Sequence, residues 1–236
     1  MVRDMAPPAA ILDVDGTLVD NNYQHALAWH GALRRADILV PLWKVHRAIG
    51  VGSDKIVAHL AGDDAEARLG DEIREHESEI FGEMKDDVEA VEGATEFVAG
   101  LKDSGLTVVL ASSGDAEDIE GFIDMLGLRD LVDDWTTSDD VDASKPDPDL
   151  IEVALEKAGG GPAVMVGDTD WDVIAAHRAG LDTICVLSGG FPEAVLREAG
   201  SIAVYGSVVE IPTSAIETAA DRPGPARPSA PPGSSR

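Results

Sequence analysis

Four short stretches of the chain are apolar without interruption: Ala10–Val14, Thr107–Ala111, Ala163–Val166 and Thr183–Leu187. They are rich in Val, Ile and Leu and do not alternate with polar residues, which predicts strands covered on both faces. Each is followed by Gly, Asp or Ser and then by a helix-like segment. Repeated strand–turn–helix units predict an α/β fold, a doubly wound parallel sheet with right-handed crossovers and helices on both faces. Ligands of such sheets bind beyond the carboxyl ends of the strands.

Between the first two predicted strands, Asn21 to Val91 holds no convincing strand. Ala26, Trp29, His30, Leu33 and Arg34 fall at helical spacing, as do Ile56, His59 and Leu60, with Pro41 and Gly50–Gly52 as breaks. A crossover needs only about a dozen residues, so this stretch reads as an inserted helical subdomain. Within it, Asp63 to Glu92 carries 13 acidic and three basic residues, the pattern of a solvated outer helix face. The last segment, Asp221 to Arg236, holds five of the 13 prolines. It is too poor in apolar surface to order itself and is expected to be a flexible tail.

Composition narrows the function. Hydrophobic residues make up 44% and charged residues 27% of the 236, a globular mix that argues against global disorder. The formal net charge is −27. A field of that sign repels phosphate backbones and anionic lipid, so neither nucleic acid nor a membrane surface is an expected partner. No apolar run is long enough for a transmembrane helix, and Met1–Ala10 does not read as a secretory signal. The single cysteine, Cys185, fits a reducing compartment. The expectation is a soluble cytoplasmic protein; its oligomeric state is not legible.

The chemistry gathers at the predicted strand ends. Asp13-Val14-Asp15-Gly16-Thr17 closes the first strand, and alternation along extended chain turns Asp13 and Asp15 to one side. Two neighbouring carboxylates repel unless a cation or proton is shared, and carboxylates suit a hard cation such as Mg²⁺. Taken alone, the stretch also reads as an Asp-Gly turn with a capping oxygen. The second strand ends in Ser112-Ser113-Gly114, which reads as an anion-binding helix start or an ordinary serine cap. The third ends in Gly167-Asp168-Thr169-Asp170-Trp171-Asp172. Ahead of it lies Ser144-Lys145-Pro146-Asp147-Pro148, a lysine in a proline-stiffened loop. Acids, hydroxyls and a cation at successive strand ends are the parts that phosphoryl transfer needs.

In this order the four segments DVDGT, ASS, SKPDP and GDTDWD resemble the haloacid dehalogenase-like hydrolase superfamily. The resemblance covers about Ala9 to Tyr205. The helical insertion, with His25 and Trp29 in its first helix, is similar to the small cap of the phosphoglycolate phosphatase and β-phosphoglucomutase branch. It implies a Rossmann-like catalytic core over 1–20 and 92–220, a cap over 21–91, and the tail over 221–236. It also implies residue roles. Asp13 is the expected nucleophile, carrying an aspartyl-phosphate, and a ligand of Mg²⁺. Asp15 is the expected general acid and base, with its backbone carbonyl on the metal, and Asp168 the second carboxylate ligand. Asp172 supports the metal site and Lys145. Ser112, Ser113 and Lys145 hold the transferring phosphoryl group. Asp170 matches no motif position.

The expected activity is Mg²⁺-dependent hydrolysis of a small phosphorylated metabolite, such as a sugar phosphate or a phosphoglycolate-like ester. A phosphomutase shares all four motifs but needs a cap arginine for a second phosphate, where the chain offers Ser53. Haloacid dehalogenation needs no acid at position 15, and a silent binding module usually loses one of the acids. Arg34, Arg35, Lys44, His46, Arg47 and Lys55 are the cap residues that could meet substrate, each also readable as an ordinary surface side chain.

Overall fold

The computed structural model describes residues 6–226. In chain order its strands are β1 (Ala9–Leu12), β2 (Val19–Asp20), β3 (Glu89–Ala90), β4 (Thr107–Ala111), β5 (Asp134–Thr136), β6 (Ala163–Gly167), β7 (Asp182–Val186) and β8 (Ala203–Tyr205). Six of them form one parallel sheet in the order β5-β4-β1-β6-β7-β8. The chain runs outward from β1 through β4 to β5, then crosses back and runs the other way from β6. The strand order therefore reverses around β1, and a crevice opens there at the carboxyl ends.

The continuous apolar runs are explained by burial on both faces. Ile11 and Leu12 are adjacent, yet Leu12 joins a cluster with Val98, Ile119 and Ile216 while Ile11 joins one with Leu150, Met165 and Ala176. Burying a side chain of that size stabilises the fold by about 1.5–3 kcal/mol. The first strand ends earlier than its apolar run, because the chain must leave the ladder to turn at Gly16 (φ +75°). Two sheet strands have no apolar run. β5 and β8 are three-residue edge strands, one reading Asp-Trp-Thr and the other only partly buried, so neither needs a hydrophobic signature on both faces.

The helices α1 (Asn22–Arg35), α2 (Leu42–His46), α3 (Ile56–Ala61) and α4 (Asp63–Met84) lie between β2 and β3. They bury Trp29, Leu33, Val45, Ile56 and Ile73 in a cluster of their own. The acidic α4 buries only Gly70, Ile73 and Phe81, so most of its charge faces solvent. β2 and β3 pair antiparallel, Val19 with Ala90 and Asp20 with Glu89. This two-stranded ribbon was not apparent in the sequence. The remaining helices, α5 (Ala94–Asp103), α6 (Ala116–Met125), α7 (Asp149–Lys157), α8 (Asp170–Ala179), α9 (Glu193–Ala199) and α10 (Thr213–Ala220), flank the sheet. No helix among the described residues is long and apolar enough to cross a membrane. Of the tail expected over 221–236, residues 227–236 lie outside the described residues; Asp221–Ala226 forms neither helix nor strand.

Candidate active site

Three adjacent strands, β4, β1 and β6, deliver the acids and hydroxyls predicted from their ends. Asp13 follows β1 directly, and its backbone N–H still bonds Val166 O at 2.9 Å. Asp168 follows β6. One oxygen each from Asp13, Asp168 and Asp172 falls within 4.8 Å of the others, and all three residues are buried. Asp172 is placed by a capping box at the start of α8. Its N–H bonds Thr169 Oγ1 at 3.2 Å, and its Oδ2 accepts from Thr169 N at 3.0 Å and Asp168 N at 3.2 Å.

Lys145 is 1% exposed and enters this cluster from the Ser144–Pro148 loop. Its ammonium bonds Asp13 Oδ1, lies 2.7 Å from Asp172 Oδ1 and donates to Ala111 O at 3.3 Å. Burial works against the charged lysine, but Asp13 and Asp172 more than offset that and raise its pKa. One ammonium does not neutralise three carboxylates. Burial and the charge of Asp172 push Asp13 up to about 8, against the pull of Lys145. Burial and the charges of Asp172 and Asp13 likewise hold Asp168 well above the usual carboxylate range. The protein thus leaves negative charge uncompensated in a pocket of oxygen donors, which fits a hard divalent cation.

Asp15 points elsewhere. Its carboxylate accepts from Ser112 Oγ at 2.8 Å and from Asn21 Nδ2, and His25 Nε2 lies 3.8 Å away. His25 Nδ1 is in turn 3.1 Å from Glu77 Oε1 on α4, and its ring stacks on Phe81. Burial alone would lower the His25 pKa, yet the Glu77 hydrogen bond and the charges of Glu77, Asp15 and Asp118 raise it. Ser112 is not a helix cap; that role belongs to Asp115, which accepts from Asp118 N at 2.9 Å. The buried Ser113 Oγ has no hydrogen-bond partner among the described residues and lines the cleft.

The cleft between the strand ends and the helices measures about 150 Å³. Asp13, Asp15, Ser113, Lys145 and Asp168 line it from below, and His25, Trp29, Ser53 and Glu77 from the helical side. Ser112 lies beneath, bonded to Asp15, and Asp172 behind Lys145. Asp170 sits outside, 3.7 Å from Arg47. None of the six cap residues offered as substrate contacts lines the cleft. Arg35 pairs with Glu79, Lys55 with Asp147, and Arg47 lies over the Phe191 ring. Lys44 stands over Trp43, His46 bonds Gly189 O at 3.1 Å, and Arg34 is exposed. In a chain with a surplus of acids, Arg35, Lys55 and Arg47 find a carboxylate or ring before they reach the cleft.

Sequence reasoning missed several residues of this network. Thr17 Oγ1 bonds Asp168 Oδ1 at 3.2 Å, and Asn22 Nδ2 bonds Asp168 Oδ2 at 2.7 Å. The Asn21-Asn22 pair directly after β2 was the available signal, since polar side chains at that junction face the strand ends. Glu77 carried no signal, being one acid in an acidic run. Two glycines are required by crowding: a Cβ on Gly16 or on Gly189 would overlap both Asp168 and Asn22.

The family model for haloacid dehalogenase-like hydrolases matches residues 7–180. The chain belongs to the haloacid dehalogenase-like hydrolases. Its relatives include a phosphoglycolate phosphatase of Nitrosococcus oceani, 27% identical over 87% of this chain and 95% of that protein. The validoxylamine A 7'-phosphate phosphatase of Streptomyces hygroscopicus is 26% identical over 73% of this chain and 82% of that protein. A hydrolase from Pseudomonas syringae superposes with a TM-score of 0.81 at 30% identity, covering 86% of this chain and 95% of that one. Its class within the family is that of the phosphoric monoester hydrolases.

Proposed function

We propose that this haloacid dehalogenase-like phosphatase hydrolyses the phosphomonoester of a small metabolite through an aspartyl-phosphate on Asp13, with Mg²⁺ as cofactor. The observation that carries the reading is the placement of Asp13 between Lys145 and Asp168, with Asp15 two residues on and bonded to Ser112. The Asp13 and Asp168 carboxylates and the Asp15 backbone carbonyl would hold the metal, with Asp172 supporting Lys145 and the site. When bound, Mg²⁺ supplies positive charge that offsets the anionic cluster and the phosphoryl oxygens.

In the first step an Asp13 oxygen attacks phosphorus, the bond from phosphorus to the ester oxygen breaks, and Asp15 protonates the departing alkoxide. In the second, water attacks the same phosphorus while Asp15 takes its proton, and the bond to Asp13 opens to release inorganic phosphate. Lys145, Ser113 and Ser112 grip the phosphoryl oxygens, Ser112 turning its hydroxyl from Asp15 to do so. General acid–base action of this kind is worth about 10²–10⁴-fold, so Asp15 carries a large part of the rate. The helices α1–α4 act as a lid that opens for substrate and closes to exclude bulk water. The observation against a phosphomutase is that Ser53, and no arginine among the described residues, lines the helical side of the cleft.

Purified protein assayed on p-nitrophenyl phosphate tests this reading. Turnover with Mg²⁺ and its loss in excess chelator are expected. In Asp13→Asn, turnover and acid-stable labelling of the protein by substrate phosphate should both disappear, because an amide is a poor nucleophile. Full turnover by Asp13→Asn would overturn the assignment.

A further inference from the structure

The walls of the cleft carry a strong charge bias beyond the phosphoryl seat. Six acids line it, Asp13, Asp15, Glu77, Asp115, Asp118 and Asp168, and Lys145 is the sole lysine or arginine in the described lining. Asp13 and Asp168 are engaged with Lys145 and the proposed metal. The acids left over, Asp15, Glu77, Asp115 and Asp118, line the rest of the cleft, where the ester's alcohol would have to sit.

The cations nearby are already held by carboxylates. Arg74 donates to Glu66 Oε1 at 2.7 Å, to Asp71 at 3.0 Å and to Ser53 O at 3.1 Å. Lys85 is bound to Asp118, and Lys55 to Asp147 and Ser144 O. His25 is the other group there that can be positive, and it lies between the carboxylates of Asp15 and Glu77. Trp29, Ile49 and Val51 add an apolar wall, and Ser53 and Ser138 add hydroxyls.

We propose that the alcohol portion of the substrate is a hydroxylated group without negative charge, with a protonated amine favoured, and that Glu77 is a residue that sets this preference. A second phosphate or a carboxylate on the alcohol would meet the Asp15, Glu77, Asp115 and Asp118 carboxylates, which outnumber the cations beside them, Lys85 on Asp118 and His25 between Asp15 and Glu77. An ammonium would meet the same carboxylates as partners. The proposal rests on the phosphatase reading and names its substrate class.

Three esters phosphorylated at the same carbon separate the cases: glucosamine phosphate, sorbitol phosphate and gluconate phosphate. kcat/KM should fall in that order, by roughly tenfold or more from first to last, as expected for charges within several ångströms at intermediate dielectric. Raising the salt should narrow the spread, because the cleft is open to solvent. Glu77→Gln should narrow the ratio of amine to acid further, whatever it does to the common rate. Should that variant not fold, the wild-type order and its salt dependence decide. Equal or faster turnover of gluconate phosphate overturns the proposal, as does an order unmoved by salt. If no ester is turned over, p-nitrophenyl phosphate included, the phosphatase reading itself falls and this inference with it.

Discussion

Lys145 Nζ lies 2.7 Å from Asp172 Oδ1, and each side chain is only 1% exposed. A clamp lysine could have reached the phosphoryl seat from solvent; this one is built into the interior. Removing one partner of a buried pair leaves the other charge unsatisfied, which costs about 3–5 kcal/mol. Lys145→Ala should therefore lower both turnover and the midpoint of urea unfolding. A variant of wild-type stability would mean that the pair does not tie the loop to the core.

The uncompensated charge of Asp13, Asp168 and Asp172 makes a second expectation. A cation that binds only the folded chain adds stability by mass action, about 2.7 kcal/mol at a hundredfold excess over Kd. Mg²⁺ should raise the melting temperature, and Asp168→Asn should reduce that rise. An unchanged melting temperature across millimolar Mg²⁺ would argue against the cluster as the cation site.

Gly52 gives a handle on the contact between the helices and the core. Its N–H donates to Lys145 O at 3.0 Å, and a Cβ there would overlap Ser144 Oγ across the interface of helices and core. Gly52→Ala should disturb closure and the Lys145 loop together. A displacement of about 1 Å near reacting groups can cost 10²-fold. kcat/KM is expected to fall by more than the accompanying loss of melting temperature, itself expected from overpacking a buried contact, would account for. Unaltered kinetics would mean that the contact is incidental.

Cys185 is fully buried on β7, and burial raises its thiol well above the ordinary value, against the weaker pull of the Ser201 hydrogen bond. Thiolate is the reactive form, so both access and protonation protect it. At mildly alkaline pH the native protein should resist a thiol reagent that labels the urea-unfolded chain within minutes. Prompt labelling of the native state would reveal local opening of the sheet.

What the sequence disclosed follows from how each residue is buried. Strands covered on both faces leave continuous apolar runs, so β1, β4, β6 and β7 were visible to within a residue or two. The edge strands β5 and β8 and the ribbon β2–β3 bury too little to leave that trace. The acids at strand ends were legible because a turn after a strand fixes where they point. Glu77 was not, since its relation to His25 depends on how α4 packs against α1, across 52 positions of sequence. The cap cations, readable along the chain as substrate contacts or as ordinary surface side chains, stayed undecided for a similar reason. Arg47 and Lys55 looked available along the chain, and only the fold brings Asp170 and Asp147 to them.

The ribbon in which Val19 faces Ala90 and Asp20 faces Glu89 has a topological consequence. Because the chain departs and returns side by side, everything between those residues hangs from the sheet as a closed loop with its ends already joined. The sheet's hydrogen-bond ladders do not pass through that loop, so its length and contents can be rewritten without shifting strand register. A short turn joining Asp20 to Glu89 would leave every ladder of the six-stranded sheet intact, and a foreign helical segment spliced at the same two residues would inherit a ready-made socket. The boundary is a graft point drawn by backbone pairing, and a replacement would have to supply only the side chains that cross it, such as Asn22 on Asp168.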